Sequence, residues 1–292
     1  MAALRVFATG WRVILTVLLL GTRLHGQTPV PASQSSLFAQ ATSAMLERNF
    51  ASPRVEYVVL DLKTRQMIAI RWTHEGAVIP VGSLLKPFVA IAYGMSHSNQ
   101  FPVVRCEGRR SGCWRADGHG PMGLEQAIAE SCNAYFLALA GQVAPDDLGR
   151  VQGTYDLPAP TVAEPSPATL IGLTADWRVT PFALAQAYAA LSNETGDPVV
   201  KRLVAGMRMA ALPGGTAARV GTHVGGVLAK TGTAPCIDHC VADGDGLVVV
   251  LAPATRPRWL ILVRERGTTG AQTAEIAGKM LQSLENSDAE DR

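Results

Sequence analysis

The fold turns on the stretch "GVLAKTGTA" (Gly226–Ala234) and the two runs that follow it, "GLVVVLAP" (Gly246–Pro253) and "RWLILVRE" (Arg258–Glu265). Each run is short, rich in strand-forming residues and bounded by Gly, Pro or charged residues, which is the pattern of a β-strand. The connections between them are short, and short connections favour antiparallel pairing because parallel neighbours need a long crossover. Towards the other end of the chain, "VEYVVLDLKTRQMIAIRW" (Val55–Trp72) supplies two more such runs around "KTR", a hairpin. Helical periodicity fills the middle. Strands at both ends with helices between them predict an α+β architecture: one antiparallel sheet of about five strands, flanked by helices, with a helical lobe from the middle of the chain.

Working outward, Leu37, Ala41, Ala44 and Met45 recur at helical spacing and predict a helix over about Ser35–Arg48. A second helix follows Ser83. "GLEQAIAESCNAYFLALAG" (Gly123–Gly141) reads as helical up to Gly141. The prolines between Pro158 and Pro167 mark a loop. "TPFALAQAYAALSN" (Thr180–Asn193) reads as a helix with Pro181 at an early position, and a last helix spans about Ala271–Leu284. The expected division is an export segment over 1–26, a linker and first helix over 27–50, the main domain over 51–285 and a frayed tail over 286–292.

The 292 residues are 48% hydrophobic, enough for one large domain with a substantial core. Charged residues make up 17% and the formal net charge is +2, so no global field points to nucleic acid or to a cationic partner. Arg5 and Arg12 precede the apolar run "VILTVLLLG" (Val13–Gly21), which is about half the roughly 20 residues that a bilayer core needs. This reads as a signal peptide cleaved near Gly26, or, if uncleaved, as a membrane anchor. Either way the domain is exported, to the periplasm or cell envelope. Export favours disulfides, and five cysteines cannot all pair with one another.

Ser83 and Lys86 stand three apart on an otherwise apolar segment, "VGSLLKPFVAIAY" (Val81–Tyr93). That spacing lets the side chains meet on one helical face. A serine hydroxyl is a weak nucleophile until a base takes its proton, and a lysine serves as that base when burial or nearby positive charge lowers its pKa. Taken alone, Ser-x-x-Lys also describes a capping serine with a surface lysine. Two further stretches add weight: "ESCNAYF" with Ser131 and Asn133, and "LAKTGTA" with Lys230, Thr231, Gly232 and Thr233 on an edge strand. Ser-x-x-Lys, Ser-x-Asn and Lys-Thr-Gly in this order form the known set of penicillin-binding proteins and β-lactamases.

With "CEGRRSGCWRADGHGPMGLEQAIAESCNAYF", "IGLTADWRVTPFALAQAYAALSN" and "LPGGTAARVG", the chain from about Val55 to Leu284 resembles the transpeptidase domain of class B penicillin-binding proteins of the cell-elongation type. The resemblance implies serine acyl transfer on D-Ala-D-Ala stem peptides of peptidoglycan, as transpeptidase or carboxypeptidase, with β-lactams as covalent inhibitors and no cofactor required. It implies Ser83 as nucleophile, Lys86 as its base, Ser131 as proton relay to the leaving amine and Asn133 as a holder of the substrate amide. Lys230 would supply positive charge near the substrate carboxylate, with the hydroxyls of Thr231 and Thr233 beside it. Backbone N–H groups of Ser83 and Thr233 would form the oxyanion hole. Gly232 would let substrate lie against the strand.

Only about 30 residues separate the apolar leader from the first strand, where elongation-type members carry a long pedestal, so a stand-alone domain is expected. A serine β-lactamase and a non-catalytic penicillin or peptidoglycan sensor remain the alternatives. The β-lactamase reading has Glu164 as its only loop carboxylate, without the asparagine context usual there.

Cys106-x6-Cys113-x5-His119-x12-Cys132 collects three thiols and one imidazole, a set that suits tetrahedral zinc. Some elongation-type members carry zinc at equivalent positions. The competing reading pairs Cys106 with Cys113 in a disulfide and leaves Cys132 a buried thiol and His119 a loop residue. Both readings join Cys236 to Cys240.

Overall fold

The computed structural model describes residues 35–224, 226–237, 240 and 244–290. The expected export segment, residues 1–26, and the linker up to residue 34 lie outside the described residues. Among the described residues no helix is long and apolar enough to cross a membrane.

Helix α1 (Ser35–Asn49) leads into the hairpin of β1 (Val55–Asp61) and β2 (Gln66–Arg71). Asp61 closes the turn, its Oδ1 accepting from the backbone N–H groups of Lys63 at 2.8 Å and Thr64 at 3.0 Å. A short β3 (Ile79–Pro80) precedes a 3₁₀ turn (Gly82–Leu85) and α2 (Lys86–Ser96). After it come β4 (Val104–Cys106) and β5 (Gly120–Met122), which pair with each other, then α3 (Leu124–Ala129) and α4 (Asn133–Ala140). The lobe continues through α5 (Pro145–Tyr155), α6 (Pro167–Leu170), β6 (Arg178–Val179), α7 (Pro181–Asn193), α8 (Pro198–Ala210) and α9 (Ala218–Gly221). The chain returns with β7 (Leu228–Pro235), β8 (Gly244–Ala252), β9 (Trp259–Glu265) and α10 (Gly270–Glu290).

The main sheet has the order β2-β1-β9-β8-β7, all antiparallel, so the first hairpin and the last three strands are zipped together by the β1–β9 pairing. Alternation then sorts side chains onto two faces. Val58, Leu60, Leu247, Val249 and Leu251 pack into the helical lobe with Leu84, Phe88 and Leu184. Tyr57, Val59, Val248, Val250 and Ile261 pack the other way, against Leu46 of α1 and Met280, Leu281 and Leu284 of α10. Helices cover both faces, which is why β1 is buried at every position rather than alternately.

Three differences from the sequence reading have physical causes. The helical run Gly123–Gly141 is broken at Glu130–Cys132, where Ser131 takes a left-handed backbone (φ 51). Helices α5 and α8 went unread, although each opens on proline, and Asp197 caps α8 by accepting from the N–H groups of Val199 and Val200. The tail expected to fray from 286 is helical to Glu290, because α10 runs on past the last core residue.

One polar knot lies within this framework. Arg264 on β9 is buried and donates to Asp245 of β8 (Nε, 3.0 Å) and to Glu56 of β1 (Nη1, 3.1 Å), while Arg266 donates to the other oxygen of Glu56 at 3.0 Å. Asp245 also accepts from the backbone N–H of Gly267 at 3.0 Å. Removing Arg264 alone takes the guanidinium partner from buried Asp245, which keeps only the Gly267 N–H, and leaves Glu56 to Arg266 and Thr73. Arg264→Ala is therefore expected to lower the unfolding free energy by about 3–5 kcal/mol, read from a shift of the denaturant midpoint. A loss below about 1 kcal/mol would show that water reaches both acids.

Candidate active site

The sheet's end strand β7 and the break between α3 and α4 bring the sequence motifs together. Lys86, the first residue of α2, is fully buried, and its ammonium finds three acceptors: Ser131 O at 2.7 Å, Asn133 Oδ1 at 2.7 Å and Ser131 Oγ at 3.3 Å. Lys230 on β7, also fully buried, donates to the same Ser131 Oγ at 2.9 Å and to Thr231 O at 2.7 Å. Two lysines thus share one hydroxyl. Burial pushes Lys86 down to about 7, with the nearby Cys132 and Cys113 thiols pulling slightly the other way. Lys230 is also lowered, first by burial and then by the charge of Lys86.

Ser83 lies on the 3₁₀ turn, half-buried, three residues before Lys86. It is not a capping residue: the turn's N-cap is Val81 and that of α2 is Leu85. The turn is held in place by Tyr188 of α7, whose hydroxyl donates to Leu84 O at 2.8 Å. Its approach to β7 rests on two glycines. Gly82 has φ +56, and a Cβ there would lie 2.6 Å from Thr233 O. A Cβ on Gly232 would lie 2.8 Å from Val81 O. Gly232 is required by the packing itself, since it makes room for the Val81–Leu84 turn.

Of the remaining motif residues, Thr231 donates from Oγ1 to Thr216 Oγ1 at 2.7 Å, and Thr233 is exposed, its Oγ1 accepting from the backbone N–H of Gly270 at 3.1 Å. Beyond Pro235, Cys236 and Cys240 form a disulfide, as both sequence readings expected. Glu164 is exposed on the loop before α6. Two neighbours were given no role from the sequence, although both lie in stretches that carry the resemblance. Trp114 donates from Nε1 to Ser131 O at 3.2 Å, and Thr216 binds Ala129 O through its backbone N–H at 3.1 Å and its hydroxyl at 3.2 Å. Together with Lys86 they clamp the strained residue Ser131, whose conformation costs on the order of 1–3 kcal/mol for a residue other than glycine.

Directly behind Ser131, Cys106, Cys113, His119 and Cys132 converge, with all four donor atoms within 4.8 Å of one another. The Cys106–Cys113 disulfide of the competing reading does not form; all three thiols are free and buried. His119 Nδ1 faces Cys106 Sγ at 3.4 Å and Cys113 Sγ at 3.6 Å, and Cys113 Sγ is 3.9 Å from Cys132 Sγ. A tetrahedral zinc with roughly 2.3 Å bonds to sulfur would set sulfurs about 3.8 Å apart, so the donor set fits. The other imidazole nitrogen, Nε2, is buried and lies 3.5 Å from Glu130 Oε2, the carboxylate placement that orients a metal-binding histidine. Burial would raise the Cys106 thiol, but the backbone N–H groups of Gly108 and His119 and the His119 ring hold it down to about 6.

A family model described as the penicillin binding protein transpeptidase domain matches residues 58–282. Among solved structures, PBP2 of Pseudomonas aeruginosa, determined in complex with WCK 5153, is similar with a TM-score of 0.69 and 19% identity over 86% of this chain and 74% of that one. The transpeptidase domain of Burkholderia pseudomallei penicillin-binding protein 3 gives a TM-score of 0.65 and 18% identity over 87% and 93%. Helicobacter pylori PBP2, determined with MreC, gives 0.66 and 16% over 85% of this chain and 62% of that one. No curated protein matches. Likeness at such identities speaks to the fold, whereas the family match spans most of the chain and takes in every residue of the hydrogen-bonded cluster. The chain belongs to the penicillin-binding protein transpeptidase domain family.

Proposed function

We propose that this protein is a D,D-acyltransferase of elongation type that attacks the D-Ala-D-Ala end of a peptidoglycan stem peptide through Ser83, in a domain spanning 51–285 that is exported by residues 1–26. The observation that carries this reading is the burial of Lys86 one turn after Ser83, with its ammonium drawn down towards neutrality by that burial. Two of its acceptors are carbonyl oxygens that can only accept, while the third, Ser131 Oγ, can donate in return. A neutral Lys86 keeps the two carbonyl contacts and turns its lone pair to the hydroxyl side. It takes the proton of Ser83 as Oγ attacks the peptide carbonyl, and Ser131 passes a proton to the departing alanine nitrogen. Asn133 orients the substrate amide. The backbone N–H groups of Ser83 and Thr233 receive the developing oxyanion, a pair worth about 3 kcal/mol per donor. An arriving substrate carboxylate restores the full charge of Lys230, with the Thr231 and Thr233 hydroxyls beside it. The outer edge of β7, unpaired in the sheet, offers main-chain bonds to the extended peptide.

Fluorescent penicillin is expected to label the protein covalently at Ser83, with the adduct located by peptide mass spectrometry and lost in Ser83→Ala. Glu164 stands exposed rather than buried beside the cluster, so the penicilloyl ester is expected to persist for many minutes. Rapid nitrocefin turnover abolished by Glu164→Gln would instead make the protein a β-lactamase, and labelling without peptide turnover would make it a sensor.

Below its pKa of about 7 Lys86 carries the proton that blocks its role, so the acylation rate is expected to climb with pH up to about 7 and then level off. Lys86→Arg keeps the charge but cannot become neutral, and is expected to slow acylation by at least about 100-fold and to remove the levelling. A variant within a few-fold of wild type would place the base elsewhere.

The Cys106, Cys113, His119 and Cys132 cluster is proposed to hold one structural zinc ion, which when bound braces the loop behind Ser131. Protein purified with zinc should contain about one equivalent by elemental analysis, and its three thiols should react with a disulfide reagent only after chelation, with a lower Tm. Metal-free protein whose thiols are titratable and whose Tm ignores added zinc would exclude the assignment.

A further inference from the structure

The thiol cluster behind Ser131 opens towards solvent through a depression of about 520 Å³, lined by Arg105, Cys106, Glu107, Arg109, Arg110 and Asp117. Its size lies in the roughly 300–1,000 Å³ range of small-molecule sites. Cys106 is the cluster member that lines it, and the chain holds that residue in place: a Cβ on Gly118, where φ is +77, would collide with Cys106 O.

The rim is electropositive. Arg105 is only loosely paired with Glu107, at 4.0 Å and with both side chains well exposed. Arg109 and Arg110, on the 3₁₀ turn Gly108–Ser111, have no acidic partner among the described residues. Three guanidiniums thus stand against two carboxylates, Glu107 and Asp117, and two of the three are uncommitted. A forked guanidinium is well matched to a carboxylate, which it binds through two hydrogen bonds. Reactive cysteines sit in electropositive surroundings that a reagent can reach, whereas thiols sealed in a core are inert. Among the three free thiols, Cys106 alone lines this opening.

We infer that Cys106 is an oxidation site for a small disulfide bearing carboxylates, which the arginines hold, and that Cys132 completes the exchange. His119 Nδ1 engages Cys106 and Cys113, at 3.4 and 3.6 Å, whereas Cys132 comes from another element, as the N-cap of α4, and is the thiol that the imidazole leaves free to react. All three sulfurs lie within 4.8 Å of one another. Cys106 Sγ attacks one sulfur of the bound disulfide; a new S–S bond forms, the reagent's own S–S bond breaks and one thiol departs. Cys132 Sγ then attacks Cys106 Sγ, which forms the Cys106–Cys132 disulfide and releases the second thiol. The two protein thiols lose two electrons to the reagent, and their two protons end on the two released thiols. A metal ion and this disulfide need the same sulfurs, so the reaction belongs to the metal-free cluster. Closing the sulfurs to the roughly 2.05 Å of a disulfide draws Cys132 towards the loop, and Ser131 is the residue before it. Oxidation therefore displaces the hydroxyl shared by Lys86 and Lys230 and slows acylation. That last step rests on the proposed Ser83 chemistry; the thiol exchange does not.

The test treats the purified protein with a chelator and offers, at equal concentration and pH 7, oxidised glutathione, a peptide disulfide rich in carboxylates, or cystamine, a disulfide ending in ammonium groups. Alkylation and peptide mass spectrometry read the disulfides formed. Oxidised glutathione should produce the Cys106–Cys132 disulfide at least about 10-fold faster than cystamine. In the Arg109→Gln, Arg110→Gln double variant this preference should vanish. Cys132→Ser should stop at a glutathione adduct on Cys106, and Cys106→Ser should leave Cys132 reduced. Fluorescent penicillin should label the oxidised protein at least about 10-fold more slowly than the chelated, unoxidised protein. No reaction, equal rates with the two reagents, or a double variant that keeps the wild-type preference overturns the site. A Cys113–Cys132 disulfide that forms in Cys106→Ser overturns the entry thiol, and oxidised protein that labels at the full rate overturns the link to Ser131. If neither form labels at all, the proposed function is wrong, and the mass spectra still decide whether Cys106 is oxidised.

Discussion

The structure depends on a costly arrangement: two fully buried lysines, Lys86 and Lys230, whose ammonium groups meet on the single hydroxyl of Ser131. Two like charges in an apolar interior repel each other and lose their water, and the cheapest response is for protons to leave. The fold is what prevents the lysines from moving apart. One is fixed at the start of α2, which the hydrophobic lobe grips on all sides, and the other on β7, which is laddered to β8. A lysine on a surface loop would swing out to solvent and regain an ordinary pKa. Here neither can.

Ser131 is the point at which these constraints are collected. Its carbonyl takes bonds from Lys86 and Trp114, its hydroxyl from both lysines, and the next residue, Cys132, belongs to the thiol cluster behind it. The left-handed backbone at Ser131 is the geometric result. It turns the carbonyl and the hydroxyl of one residue into the same cleft, which a continuous helix over 123–141 would forbid. Strain at this residue is tolerable because four separate elements hold it from different directions.

Much of this was legible in the sequence, and the rest was not, for identifiable reasons. The five strands announced themselves through β-rich runs with short turns, and one sheet built from both chain ends followed, although the order of strands within it did not. Ser83, Lys86, Ser131, Asn133 and Lys230 were legible because three spaced motifs occur in a fixed order. The break at Ser131 was not, since Ala127, Ile128, Cys132 and Phe136 keep helical spacing across it and only tertiary contacts decide against the helix. Gly232 shows a subtler gap: a need for glycine was readable, but its packing against the Val81–Leu84 turn was not, because that turn lies about 150 residues earlier in the chain. Trp114 acts through one hydrogen bond and Thr216 through three, all to residues at least 15 positions away, and residue types alone do not reveal such pairings.

The outer side of β7, which has no strand partner among the described residues, has a consequence for the molecule as a material. A strand edge able to take up a peptide by main-chain bonding is equally able to take up another strand, which is the first step of edge-to-edge aggregation. The protein limits that exposure by length and punctuation. β7 is eight residues long, Pro235 removes a donor at its end, and the 3₁₀ turn (Gly82–Leu85) with its cap Val81 presses against its middle at Gly232. Replacing Pro235 by a β-branched residue, or lengthening the strand, would leave the chemistry untouched and make the folded protein stickier. Solubility and the proposed peptide recognition thus fall on the same few backbone atoms.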